Sequence, residues 1–300
     1  MRARILAAAA ALVLSASGAH AQQDFSKVEI KVEKVADGLF MLIGAGGNIA
    51  LSVGDDATFI VDDQYAPLTD KIVAAIRTVT EQPVKFVVNT HWHGDHTGGN
   101  ENFGKAGAVI IAHDNVRQRM SVETFNERFK QKIPAAPHAA LPVVTFAEAV
   151  TLHLNGDTIR VTHVPPAHTD GDAIVHFTKA NVLHMGDLFF NGGYPFVDVW
   201  SGGNVDGILG AVDKALAMGD DKTRIIPGHG PLADKAALER YREVVSTVRD
   251  RVKALVDQGK SLEDVKAAQP SKEFDAQWGQ GFMKGETFVE LVYMSLTGKK

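Results

Sequence analysis

Val28-Glu29-Ile30-Lys31-Val32 alternates apolar and charged side chains, the period of a half-exposed strand. Apolar runs at 39–43, 48–53 and 57–61 predict three more short strands. They are separated by turn compositions at Asp37-Gly38, Gly44-Ala45-Gly46-Gly47 and Gly54-Asp55-Asp56. The glycine-rich turn lacks the Lys-Ser/Thr ending of a phosphate loop and opens no obvious helix, so it reads as a hairpin turn. The period then changes. Ile72, Val73, Ile76 and Val79 recur at helical spacing within 68–79, and strands follow at 84–88 and 109–111.

Residues 115–132 carry Val116, Met120, Phe125 and Phe129 on or near one side, which predicts an amphipathic helix. A loop with Pro134, Pro137 and Pro142 comes next. A connection this long in a compact domain suggests a lid over a site, here spanning 113–142. The second half repeats the layout. Strands are predicted at 143–146, 150–154, 158–164, 173–177 and 182–185, and helices at 205–218, 234–257, 262–268 and 287–296. Two strand-then-helix halves predict an α/β fold with two sheets stacked face to face and helices outside. The duplication is one of layout, since no close internal sequence repeat is present.

The first 21 residues stand apart from this pattern. Arg2 and Arg4 precede an apolar run from Ile5 to Leu14, and Ala19-His20-Ala21 fits a small-x-small cleavage site. This is the composition of a secretory signal peptide cut before Gln22, which predicts a periplasmic or secreted protein with a single domain over 22–300. No later stretch has the length and apolarity of a transmembrane helix, so no membrane span is expected after cleavage. The chain has no cysteine, and a disulfide framework is excluded. Removing the two leader arginines moves the net charge from −5 to −7. With that sign and no basic stripe, nucleic acid is not an expected partner, and a small-molecule substrate is.

The chemistry concentrates in Thr90-His91-Trp92-His93-Gly94-Asp95-His96, directly after the apolar run at 84–88. Residues two apart in extended backbone share a side, so His91 and His93 can address one centre. Gly94 permits a turn, after which Asp95 and His96 can address a second. Imidazole and carboxylate suit zinc, manganese or iron. A catalytic metal site needs three protein ligands with a position left for water, so further ligands are required. His168, Asp187 and His229 each close an apolar strand pattern, in Pro166-Ala167-His168-Thr169, Met185-Gly186-Asp187-Leu188 and Pro227-Gly228-His229-Gly230. His153, His163, His176 and His184 fall inside strand patterns and are expected to be packed or to support other groups.

The H-x-H-x-D-H motif and the three later segments, in this order, resemble the metallo-beta-lactamase fold superfamily over nearly the whole mature chain. The resemblance implies an αββα sandwich and two divalent metal ions, zinc foremost, with iron or manganese as alternatives. It implies that one ion takes His91, His93 and His168, that the other takes Asp95, His96 and His229, and that Asp187 bridges them. Asp187 stands where cysteine-bearing lactamases place Cys and another lactamase subclass places Ser, which points to the wider hydrolase group. The chemistry expected is hydrolysis of an ester, thioester, lactam or related bond by metal-bound hydroxide, with Asp95 orienting the nucleophile. Two rival readings are an iron-dependent redox enzyme on the same fold and a non-catalytic metal-binding protein. Asp62, at the end of the strand at 57–61, is expected to hold a ligand imidazole by its second nitrogen. Trp92, Trp200, Tyr194 and Phe196 are candidates for contact with substrate.

Overall fold

A computed structural model describes residues 24–128 and 130–299. The signal peptide expected at 1–21 and the side chain of Phe129 lie outside the described residues. The first sheet is laid down by β1 (Lys31–Ala36), β2 (Leu39–Ile43), β3 (Ile49–Ser52), β4 (Thr58–Val61), β5 (Val84–Val88) and β6 (Val109–His113). After a separate hairpin, β7 (Thr124–Asn126) and β8 (Gln131–Ile133), β9 (Val144–Phe146) completes it, in the order β1-β2-β3-β4-β5-β6-β9. Short glycine-containing turns make β1 to β4 an antiparallel meander. Parallel pairing needs longer crossovers. These are supplied by α1 (Thr69–Arg77), by α2 (Gly94–Thr97) with α3 (Asn100–Lys105), and by the long segment that begins with α4 (Asp114–Met120).

The second sheet runs β10 (Ala149–Leu154), β11 (Asp157–His163), β12 (Ala173–Phe177), β13 (Val182–His184), β14 (Arg224–Ile226) and β15 (Ala233–Asp234). Its one parallel pair, β13 with β14, is joined through α5 (Val205–Met218), whose N-terminus is capped by the Asn204 carboxamide. The sheets face each other across Met41, Phe59, Val61, Val88 and Ile111 from one side and Ile159, Val161, Val175, Phe177 and Ile226 from the other. Phe59 and Phe177 stack at 5.8 Å between ring centroids, a contact across the inter-sheet core. Outside the first sheet, Ile72 and Ile76 of α1 and Phe103 of α3 are buried. Outside the second lie α5, α6 (Lys235–Asp257), α7 (Leu262–Ala267), α8 (Lys272–Trp278) and α9 (Gly285–Thr297). The result is the four-layer αββα arrangement expected from the alternating halves.

Most predicted elements lie where the pattern puts them, but three expectations need correction. Strand β1 starts at Lys31, because its register with β2 opens on Lys31 opposite Ile43. The Val28 carbonyl instead accepts from Lys71 Nζ at 2.7 Å. The helix predicted over 115–132 ends at Met120. Thr124–Asn126 then pairs with Gln131–Ile133, and Phe125 is exposed. Val116 and Met120 are buried as a helix face should be, but the β-forming Thr-Phe-Asn segment ends that periodicity. His153 is exposed, since β10 is an edge strand whose alternate side chains meet solvent. The short helix α8 and strand β15 had no distinct sequence pattern of their own.

Candidate metal centre

Every candidate ligand sits just beyond the end of a strand, on the rim shared by both sheets. His91, His93, Asp95 and His96 follow β5, His168 follows β11, Asp187 follows β13 and His229 follows β14. Two clusters result: His91, His93, His168 and Asp187 in one, and Asp95, His96 and His229 in the other. Within each, one ligand atom per residue lies within 4.8 Å of the others. Asp187 faces both. Its Oδ2 is 3.5 Å from His168 Nε2 and 3.9 Å from His91 Nε2. Its Oδ1 is 3.0 Å from His96 Nε2 and 3.3 Å from His229 Nε2.

The second ring nitrogens decide which nitrogen each imidazole presents. Thr90 Oγ1 donates its single proton to Asp62 Oδ2 at 2.8 Å, so it must accept from His91 Nδ1 at 3.0 Å. That leaves His91 Nε2 with a lone pair, buried and without a hydrogen-bond partner. His96 Nδ1 donates to Asp62 Oδ2 at 2.8 Å, and His168 Nδ1 donates to the Phe196 carbonyl at 2.6 Å. His93 is turned the other way: its Nε2 donates to Asp198 Oδ2 at 2.9 Å, and its Nδ1 lies 2.9 Å from His168 Nε2. Ring nitrogens from four imidazoles thus converge with the carboxylates, and supporting groups fix which nitrogen each presents. The partnerless His91 Nε2 would be costly to bury with nothing to meet it, and a cation in its cluster would meet it. The donor set fits divalent metal ions.

Electrostatics agree. Burial holds the His91 imidazole well below its ordinary pKa and brings that of His168 to about 4, so both are neutral, the form that ligates metal. Burial also opposes charge on His96 and His229. The Asp187 and Asp95 carboxylates outweigh it, holding His96 well above its ordinary range and His229 at about 9. Asp187 is in turn held well below the usual carboxylate range by His229, His96 and His168 against the pull of burial. The two clusters are therefore a compact set of opposite charges that bound cations would replace.

Asp62 adopts a left-handed φ of 63° and lets its carboxylate serve both clusters, directly at His96 and through Thr90 at His91. Two glycines are required by close approach. A Cβ at Gly47 would stand 2.1 Å from His96 Cε1, and one at Gly228 would stand 2.1 Å from Asp187 Oδ1. The glycine-rich segment does join antiparallel strands, as expected, but it also packs on the centre. Gly94 has a different role from the one its sequence suggests. It opens α2 without a positive φ, and a Cβ there would meet nothing within 4 Å, so the backbone turn does not demand glycine.

Two supporting residues are far from their partners in sequence. Asp198 braces His93 from the 3₁₀ turn at Val199–Ser201, which it also caps. Asn48 donates its side-chain amide to the Pro227 and Gly230 carbonyls and its backbone N–H to the Gly228 carbonyl, pinning the loop that carries His229. Residue spacing gives no sign of either.

A cavity of about 890 Å³ opens over the centre. Trp92, Tyr194 and Phe196 all line it, whereas Trp200 does not and packs against the core outside the second sheet. Tyr194 is almost wholly buried, and its hydroxyl donates to Asp275 Oδ1 at 2.8 Å. Phe196 lies over His93, at 5.9 Å between ring centroids and 24° between planes. One wall comes from the segment expected to form a lid, through Arg119, Met120, Asn126, Gln131, Ile133, Pro134 and Ala136. That segment is tied down: Arg119 makes a bidentate ion pair with Asp170, and the Ala136 N–H donates to the Met120 carbonyl.

Residues 44–229 match the sequence profile of the metallo-beta-lactamase superfamily. The chain is 21% identical over 240 residues to a beta-lactamase-like protein 2 homolog of Caenorhabditis elegans, covering 73% of this chain and 74% of that one. It is 26% identical over 186 residues to a hydroxyacylglutathione hydrolase of Polaromonas sp., covering 59% of this chain and 60% of that one. Among solved structures, the sec-alkylsulfatase Pisa1 from Pseudomonas sp. shares the fold with a TM-score of 0.68 at 17% identity. That alignment covers 90% of this chain but only 51% of the sulfatase, so this chain spans about half of its length. Among the described residues, no helix is long and apolar enough to cross a membrane.

Proposed function

This chain belongs to the metallo-beta-lactamase superfamily, and from that premise we propose that it is an exported metal-dependent hydrolase with two divalent ions, zinc foremost. The observation that carries the reading is the placement of Asp187, one carboxylate oxygen toward each imidazole cluster. His91, His93 and His168 would hold the inner ion, Asp95, His96 and His229 the outer one, and Asp187 both. Ions in these positions supply a water acidified to near neutral pH and positive charge for a developing oxyanion. The protein's own groups do the rest. Asp95 faces the cavity beside His229, with Oδ2 at 3.3 Å from His229 Nε2, and is placed to orient the attacking water. Its carboxylate stays ionised: against the pull of burial, His96 and His229 lower its pKa to about 2. Phe190 stacks on His229 at 5.1 Å and Phe196 covers His93, so apolar rings keep bulk water from the inner face.

The scissile bond proposed is an ester, thioester, lactam or related link. The test is metal analysis of the dialysed mature protein combined with turnover on a panel of these bonds. Two ions per chain and hydrolysis of at least one class are expected. Full metal loading with no turnover across the panel would favour a metal-binding role instead. Redox-active iron in protein from the native host would favour an oxidoreductase.

A further inference from the structure

The cavity above the centre has walls of a particular chemistry. Trp92, Met120, Ile133, Phe190, Phe196 and Met283 supply apolar surface from four separate parts of the chain. At its rim, Phe282 is 65% exposed and sets its ring edge-to-face against Phe196 at 6.2 Å. Large exposed apolar side chains are few among the described residues, and Val122 and Phe125 belong to the segment that also supplies Met120 and Ile133. Charge is distributed differently. Asp95 and Asp187 are the lining acids, both at the metal centre. Among the described lining residues, Arg119 is the one lysine or arginine. Both its Nε and its Nη2 are given to Asp170, at 2.7 and 2.6 Å, and its guanidinium lies 5.8 Å from the Trp92 ring. A cavity of about 890 Å³ falls at the upper end of small-molecule sites, far more room than the scissile group needs.

Resting on the hydrolase reading above, we propose that the substrate is uncharged away from its scissile bond and carries a bulky apolar acyl arm that fills this cavity from the metal centre to Phe282 and Met283. An anionic arm would give up its hydration without gaining a cation, because the one guanidinium on the wall already has a carboxylate partner. An apolar arm gains from each methylene it buries against Phe196, Met120 and Ile133. Phe196 links the two ends of the site, since its carbonyl orients His168 while its ring walls the cavity.

The test uses the zinc-loaded mature protein and p-nitrophenyl esters from acetate to octanoate, with mono-p-nitrophenyl suberate as the ω-carboxylate counterpart of octanoate. The expected kcat/KM rises about threefold per added methylene until the cavity is full, and octanoate is preferred over suberate by at least about tenfold. Binding is read independently by quenching of tryptophan fluorescence, Trp92 and Trp278 both lining the cavity, with octanamide and its ω-carboxylate analogue as probes. Phe282→Ala and Met283→Ala should each lower the octanoate-to-acetate ratio several-fold, with circular dichroism unchanged for the exposed Phe282. A flat chain-length profile, a preference for suberate, or an unchanged ratio in both variants overturns the proposal while leaving a hydrolase in place. If no ester is cleaved, nor any thioester, lactam or related bond of the panel, yet octanamide alone quenches fluorescence, the apolar cavity stands and the hydrolase reading falls. If octanamide does not bind and no bond of the panel is cleaved, both fall; if octanamide does not bind but some other bond of the panel is cleaved, the apolar-arm proposal alone falls.

Discussion

The two ligand clusters are built from the same residue types but sit in different environments. In the inner one, the side chains of His91 and His168 are 1% and 0% exposed. In the outer one, Asp95 and His229 are 23% and 31% exposed and line the cavity. Each inner imidazole has a partner for its second nitrogen: Thr90 at His91, Asp198 at His93 and the Phe196 carbonyl at His168. Of the outer ligands, His96 alone is buried and braced by Asp62. An ion held by oriented, desolvated ligands should leave slowly, and one held by ligands open to the cavity should exchange and meet substrate. On the two-ion reading proposed above, the contrast would assign retention to the inner cluster and reactivity to the outer one.

The substitution with the largest expected effect removes the group both clusters share. Asp187→Ser should lose at least the outer ion on dialysis and lower hydrolysis by about a thousandfold or more, since both ions lose a charged ligand. Unchanged stoichiometry and rate in that variant would show that the clusters are independent. Asp95→Asn comes next. It keeps the shape and one acceptor oxygen but removes the charge that faces the cavity, so activity should fall by about a hundred- to a thousandfold while the fold survives. Asp55→Asn, a turn substitution, serves as the control for circular dichroism. The environments themselves are tested by graded chelation of the wild-type protein. Metal should be removed in two phases, the outer ion first, with activity lost in the first phase. A single phase, or activity persisting through the first, would erase the distinction.

How much of this was legible in the sequence follows from where each interaction is encoded. The candidate ligands could be read because each stands shortly after an apolar run, so strand end and ligand type occur together within a few residues. The sheets were legible for the same reason, because two-residue alternation and glycine turns are local. The wall segment misled because Val116 and Met120 do lie on a helix face, while the hairpin after it depends on pairing within a sheet of two strands. Asp198 and Asn48 were illegible because their partners are 105 and 179 or more residues away, and nothing local distinguishes them from other loop residues. Asp62 could be picked out because a carboxylate closing a buried strand needs a partner nearby. That it serves both clusters is a property of the folded site alone.

Smaller effects probe the supporting groups on the two sides. Asp62→Asn replaces an acceptor-only group with one that can present a donor to His96 Nδ1 and Thr90 Oγ1. Affinity for both ions should fall, by up to about a hundredfold, with the outer ion affected more because its contact is direct. Competition with a metal-sensitive dye would measure it, and an effect confined to one ion would separate the His96 contact from the Thr90 relay.

Asp198 gives the smallest expected change and the sharpest test of the inner cluster. Its Oδ2 accepts from His93 Nε2 while its Oδ1 accepts from the Ser201 backbone N–H at 3.2 Å, so it could act as an imidazole brace or merely as a turn cap. The His93 contact matters electrostatically: burial lowers the imidazole's affinity for a proton, and the Asp198 carboxylate, together with Asp95 and Asp187, more than restores it. Asp198→Asn has a single carbonyl oxygen, so it can accept from His93 Nε2 or from the Ser201 N–H but not from both, and in either orientation it removes the charge. Asp198→Ala removes both contacts. If Asp198 braces His93, the second, slower phase of chelation should accelerate about tenfold in the Asn variant and further in the Ala variant, while the first phase is unchanged. If it is only a cap, the Asn variant should release both ions at the wild-type rates and the Ala variant should show a local loss of stability without selective loss of the inner ion. The order of the two phases in these variants therefore decides whether the inner cluster's retention comes from its braced imidazoles or from burial alone.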